Sequence, residues 1–260
     1  MKGALLDLDG VLYDADTAVA GAADAVSWLR ERRVPLLFVT NTTSRPRPAL
    51  VEKLAGFGIA ATEPELWTAP VAAADWLRAR APSAVALFVR EAVRAEFDGL
   101  PLLPDDAEAG ASHVVVGDLL EGWDWATLNR AFRLLHADLA AALVALGMTR
   151  YWKGASGIQL DAGPFVALLR FATGREPVVL GKPAAPFFRA AAARLGLAPR
   201  DVLMVGDDIA ADVGGAQAAG LRGALVRTGK FRDADLAGAV RPDAVLASIA
   251  DLPAWWDRRA

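Results

Sequence analysis

The chain has 260 residues, a formal net charge of −3, 54% hydrophobic and 23% charged residues, which suits one large packed domain or two modest ones and argues against disorder. It has no cysteine and only two histidines, His113 and His136, so disulfides, thiolate catalysis, cysteine-held zinc and a His-rich metal cluster are excluded together. The charge balance gives no footprint for nucleic acid or anionic membrane, no apolar run approaches bilayer length, and Asp7 and Asp9 interrupt the N-terminal apolar stretch too early for a signal peptide; a cytoplasmic protein is expected.

The first element is a buried parallel strand over Ala4–Leu6 that stops at Asp7-Leu8-Asp9-Gly10. Residues two apart on an extended segment share a face, so Asp7 and Asp9 can address one target, and Gly10 lets the chain turn away. A helix is expected through Ala22–Arg33, with Val26, Trp28 and Leu29 toward a core. A strand at Pro35–Val39 ends in Thr40 and Asn41, and a helix over Ala49–Phe57 closes at Gly58. The centre gives strands at Ala84–Val89, His113–Val116 and Ala141–Leu146, helices at Val71–Arg80 and Trp125–Leu135, and a loop over 98–111. Pro177–Leu180 leads as a strand into Gly181-Lys182-Pro183, a helix spans Pro186–Leu195, and Asp201–Val205 leads into Gly206-Asp207-Asp208. Leu221–Val226 and Ala244–Leu246 are the last strands. The alternation predicts an α/β protein with a Rossmann-like parallel sheet and helices on both faces.

Four strand-like runs thus end in polar groups: Asp7/Asp9, Thr40/Asn41, Lys182 and Asp207/Asp208. On one parallel sheet those ends share an edge, where ligands bind in open α/β folds. Asp7, Asp207 and Asp208 offer hard oxygen ligands with no His or Cys among them, the donor set that favours Mg²⁺. If a helix begins near Asp208, Asp212 lies on its same face and orients the metal's surroundings; the competing role for Asp208 and Asp212 is to complement the helix dipole. A carboxylate beside a cation and a lysine stays ionised, which suits Asp7 as a nucleophile toward phosphorus, with Lys182, Thr40 and Asn41 on the phosphoryl oxygens and Asp9 as general acid and base.

These residues resemble the haloacid dehalogenase superfamily of phosphohydrolases. Asp7-Leu8-Asp9-Gly10-Val11, Phe38-Val39-Thr40-Asn41, Gly181-Lys182-Pro183 and Gly206-Asp207-Asp208 with Asp212 are similar to its four motifs in order. The resemblance implies Mg²⁺ held by Asp7, the main-chain carbonyl of Asp9 and Asp207, with Asp208 and Asp212 behind them, and phosphate held by Thr40, Asn41 and Lys182. It implies a catalytic core over 1–65 and 177–260 and an inserted α/β cap over 66–176. Tyr151-Trp152-Lys153, Ser156-Gly157, Asp161–Phe165, Asp212–Ala216 and Thr228-Gly229-Lys230-Phe231 resemble the phospholysine phosphohistidine inorganic pyrophosphate phosphatase group. For that group the implication is hydrolysis of small phosphorylated compounds, pyrophosphate or phosphoramidates among them, and often a homodimer joined through the caps.

Within the insert, Trp152 and Lys153 are candidates for substrate contact, although a Tyr-Trp pair on a strand more often serves packing. His113 reads as a satisfied strand residue, and Trp255-Trp256 as packing for a last helix. Two other functions use similar parts: a phosphotransferase or mutase, and a receiver-like module carrying phosphoaspartate. Receivers are far shorter and lack a carboxylate placed like Asp9. Dehalogenation needs no metal and so leaves Asp207 and Asp208 without a purpose.

Overall fold

A computed structural model describes residues 1–154 and 157–259, so Ser156 lies outside the described residues, as does the side chain of Lys153. The chain forms two compact units, Met1–Thr40 with Arg47–Trp67 and Lys182–Ala260, and Asn41–Pro46 with Thr68–Gly181. Among the described residues no helix is long and apolar enough to cross a membrane.

The first unit is built on a six-stranded sheet in the order Ala244–Leu246, Arg222–Val226, Val202–Gly206, Gly3–Asp7, Leu36–Thr40, Leu66–Thr68. The pairs formed by the first five of these strands are all parallel. Their composition explains the arrangement: Gly3–Asp7 and Val202–Gly206 are buried at every position, as strands covered on both faces must be. Alternate residues Ala4, Leu6, Phe38, Leu203, Val205, Ala224 and Val226 turn to one face. They meet Val26 and Leu29 of the helix Ala22–Glu31, Leu50 and Leu54 of Arg47–Gly56, and Trp255 and Trp256 of Leu252–Asp257. Trp256 packs edge-on to Trp28 with ring centroids 6.4 Å apart, so the C-terminal tryptophans are core residues as their pattern suggested.

Strand order and chain order together locate the site. From Gly3–Asp7 the chain builds outward through Leu36–Thr40 to Leu66–Thr68; from Val202–Gly206 it builds the opposite way to Ala244–Leu246. The reversal falls between Gly3–Asp7 and Val202–Gly206, and such a switch point opens a crevice at the carboxyl ends of the strands. Leu6 is paired with Val205, so Asp7 and Asp207 leave the sheet side by side at that crevice.

The second unit has its own parallel sheet, ordered Val178–Val179, Ala142–Ala145, His113–Val116, Val85–Phe88. Helices Trp125–Ala137 and Ala162–Thr173 cover the face that carries Phe88, Val114 and Leu143, while Ala69–Arg78 covers the face with Leu87, Val115 and Val144. Two expectations are corrected here. Pro177–Leu180 reads as a strand of the catalytic sheet, but Val178–Val179 pairs with Ala142–Ala145 in the second sheet. A run of apolar β-branched residues specifies a strand without specifying a partner. Tyr151–Gly154 is a strand of a separate two-stranded ribbon with Gly157–Leu160, and Tyr151 and Trp152 are exposed rather than packed.

Candidate active site

At the switch point, Asp7, Asp207 and Asp212 are buried and each offers a carboxylate oxygen within 4.8 Å of the others. Asp7 is the last residue of its strand, and its Oδ1 accepts the Leu8 N–H at 2.8 Å. Lys182 brings one ammonium between two of the acids, 2.8 Å from Asp7 Oδ1 and 2.7 Å from Asp212 Oδ1. It arrives on the segment after the second unit's edge strand, so it reaches the crevice without standing on a strand tip of the catalytic sheet. Asp207 Oδ2 accepts the Lys230 main-chain N–H at 2.7 Å, while its Oδ1 is buried with no hydrogen-bond partner among the described residues.

The segment after Asp207 divides its two acids. Asp208 caps the following helical turn: its Oδ1 accepts the N–H groups of Ala210 and Ala211 at 3.0 and 2.9 Å. That turn, Ile209–Gly214, is a π-turn, wider than an α-turn. It carries Asp212 inward, where Oδ2 accepts the Asp208 N–H at 3.1 Å and Oδ1 meets Lys182. Asp212, expected to orient the metal's surroundings from the same helical face as Asp208, stands inside the acidic cluster, and Asp208 is half-buried at its edge.

Asp9 is exposed two residues beyond Asp7. Thr40 ends the strand beside Asp7, with Val39 paired to Asp7, so its position is one residue past the nucleophile candidate on the same edge. Asn41 belongs to the second unit. His113 also belongs there, its Nδ1 3.0 Å from Ser112 Oγ.

Electrostatics single out the cluster. Burial pushes the Asp7 carboxyl above the ordinary carboxylate range against the pull of Lys182, with Asp207 adding to the rise. Burial also raises Asp212, and Asp7 reinforces it. Asp207 is pushed up to about 6, first by burial and then by Asp212, against the opposing Lys230 N–H. Burial works against the Lys182 ammonium, but Asp212 and Asp7 outweigh it and hold the lysine charged above its usual value. Three buried carboxylates face one buried ammonium, so full ionisation leaves two negative charges uncompensated. A buried excess of this kind, with one carboxylate oxygen orphaned, is the environment that a divalent cation satisfies.

A model for haloacid dehalogenase-like hydrolases matches residues 4–101, and one described as HAD-hydrolase-like matches residues 179–252. The phospholysine phosphohistidine inorganic pyrophosphate phosphatase of Bos taurus is 38% identical over 239 residues, which cover 90% of this chain and 86% of that one. The chain belongs to the haloacid dehalogenase-like hydrolases. A second relative in that family, haloacid dehalogenase-like hydrolase domain-containing protein 2 of Bos taurus, is 39% identical over 235 residues, 90% of this chain and 87% of that one. The p-nitrophenyl phosphatase from Archaeoglobus fulgidus shares the haloacid dehalogenase-like fold with a TM-score of 0.87, 30% identity and 98% coverage of both chains. With such relatives the chain is a phosphatase of this family.

Proposed function

We propose that this phosphatase hydrolyses small phosphorylated compounds, with pyrophosphate and phosphoramidates as the first substrates to examine, through a phosphoryl group carried on Asp7 and with Mg²⁺ as cofactor. The observation that carries the reading is the buried group of Asp7, Asp207 and Asp212 against Lys182, with Asp207 Oδ1 lacking a hydrogen-bond partner among the described residues. The substrate class is supported by the likeness to the phospholysine phosphohistidine inorganic pyrophosphate phosphatase of Bos taurus.

Asp7, the Asp9 main-chain carbonyl and Asp207 would hold the cation, with Asp212 and Asp208 beside them. When bound, Mg²⁺ supplies positive charge that neutralises phosphoryl oxygens as charge shifts onto them. Both contacts of Asp7 fall on Oδ1, which fixes the carboxylate and leaves Oδ2 to attack phosphorus. As the Oδ2–phosphorus bond forms, the bond to the leaving group breaks and Asp9 protonates that group. Asp9 then takes a proton from water, water attacks the phosphoryl group, and Asp7 is released with inorganic phosphate. Asp9 is exposed, as a group exchanging protons with water and leaving groups must be. Lys182 and Thr40 hold the phosphoryl oxygens. Lys182 is already charged and aimed by two acids, so it needs no reorganisation during the reaction.

Residues 66–176 are assigned as the cap. A homodimer through this unit is supported by its exposed apolar side chains Ile158, Leu160 and Phe171. A cytoplasmic setting is supported by a chain without cysteine.

The test is a panel of phosphorylated metabolites, pyrophosphate and phosphoramidates with Mg²⁺, followed by mass spectrometry of Asp9→Asn during turnover. That variant is expected to accumulate one phosphoryl mass on the peptide containing Asp7. Turnover with no adduct in any rapidly quenched sample would count against the covalent route.

A further inference from the structure

The turn Thr228-Gly229-Lys230 follows the strand Arg222–Val226 and has no part in the chemistry above, yet it touches the site from two directions. The Thr228 hydroxyl donates to the main-chain carbonyl of Gly10 at 2.5 Å. Two residues on, the Lys230 N–H donates to Asp207 Oδ2 at 2.7 Å. Gly229 lies between these anchors at φ +64°, where a Cβ would overlap both Asp207 Oδ2 and Gly10 Cα. Gly10, at φ +79°, closes on the same carboxylate oxygen, since its own Cβ would also overlap Asp207 Oδ2. Both glycines thus bear on the oxygen that is hydrogen-bonded, while the other oxygen is buried with no hydrogen-bond partner among the described residues.

The Lys230 side chain is exposed, its ammonium 3.9 Å from Asp208 Oδ2, so what reaches the site is main chain. A hydrogen bond to one oxygen of a carboxylate fixes the plane of the group and the direction of the other oxygen. Partners standing one step behind a ligand commonly govern its affinity in this way. We infer that Thr228-Gly229-Lys230 is a positioning element for the cation, holding Asp207 with Oδ1 presented and tying it to the turn after Asp7. The inference rests on the reading of Asp207 as a cation ligand.

The experiment is calorimetric titration of the full-length protein with Mg²⁺ alone, for wild type, Asp207→Asn, Gly229→Ala, Lys230→Pro and Lys230→Ala, with circular dichroism to verify folding. Gly229→Ala forces a side chain against Asp207, and Lys230→Pro deletes the N–H donor; each is expected to weaken Mg²⁺ binding by about 10–100-fold. Lys230→Ala keeps the donor and is expected to bind far more tightly than Lys230→Pro. At saturating Mg²⁺ the kcat of Gly229→Ala should return toward wild type, a rescue that a general loss of structure would not give. Wild-type affinity in both Gly229→Ala and Lys230→Pro, alongside loss in Asp207→Asn, overturns the inference and leaves the ligand reading intact. Wild-type affinity in Asp207→Asn overturns both. Should Gly229→Ala and Lys230→Pro fail to fold, Thr228→Val decides: affinity roughly threefold to tenfold weaker supports the inference, and unchanged affinity overturns it.

Discussion

Both units contain a parallel sheet, and both place an aspartate just past a strand end. In the second unit it is Asp118, two residues beyond His113–Val116 and buried. Its Oδ2 pairs with Arg90, which follows the neighbouring strand, and its Oδ1 accepts the Leu120 N–H at 2.9 Å. In the first unit Asp7 and Asp207 stand at the corresponding edge, with a third acid added and the Lys182 ammonium paired to two of the three. Position in the fold is therefore shared, and the state of the oxygens differs. A strand-end carboxylate whose partners satisfy it builds structure, whereas a group of them left with charge and one oxygen to spare invites a ligand.

The contrast can be broken most forcefully at Asp7. Asp7→Asn is expected to lower phosphate release by about a thousandfold or more while far-ultraviolet circular dichroism stays that of wild type. Residual turnover within tenfold of wild type would remove the nucleophile from the scheme.

The next effect crosses the two units. Asp118→Asn takes the buried partner from a part-buried ion pair and is expected to cost about 2 kcal/mol of stability by urea titration, with Mg²⁺ affinity retained. Asp207→Asn is expected to do the reverse at pH 8 without metal. It relieves a buried charge whose pKa stands at about 6 instead of 3.8, a difference on the order of 3 kcal/mol. The metal-free variant should melt higher than metal-free wild type and gain nothing from Mg²⁺. Equal melting shifts for both substitutions would erase the distinction between the two edges.

A smaller change follows from the direction of the Asp207 shift. A raised carboxyl favours the folded state while protonated; this support is complete below the ordinary value of 3.8 and fades as pH rises through about 6. Bound Mg²⁺ replaces the proton, so the melting-temperature gain from Mg²⁺ should be larger at pH 8 than at pH 5.5. A gain that is flat with pH would detach Asp207 from the cation. The smallest effect belongs to Asp208, whose Oδ1 caps the π-turn. Asp208→Ala is expected to lose about 1 kcal/mol of stability, and Asp208→Asn much less, as differential scanning calorimetry can measure.

The parts of the site written in side-chain type at the end of an apolar run were legible. Asp7 ends one fully buried strand and Asp207 follows another, so both acids are carried to one edge of the sheet by runs that the sequence shows. Lys182 was found for an incomplete reason, because Val178–Val179 belongs to the other sheet and nothing in Pro177–Leu180 states which edge will pair with it. The placement of Asp212 inside the cluster was not legible, because a spacing of four from Asp208 suggests one helical face and the wider π-turn that separates the two leaves no composition signal. Thr228-Gly229-Lys230 acts on Asp207 through main chain, and of its three residues only Gly229 hints at a constrained position. Tyr151 and Trp152 have strand character but stand exposed on a ribbon, since aromatic content alone cannot tell a covered strand from an open one.

The central pair of strands carries a consequence for how the protein comes into being. Gly3 lies against Val202, so the strand Gly3–Asp7 must wait until the residues around 202 are made before it gains this neighbour. During translation at roughly 5–20 residues per second, the second unit, whose strands are closer in sequence, can close first while Asp7 still lacks Asp207 and Asp212. On the reading of Asp7 and Asp207 as cation ligands, a ribosome-bound chain ending before residue 202 should leave the divalent ion uncaptured, and uptake of the ion would report that the central strands have been made and paired.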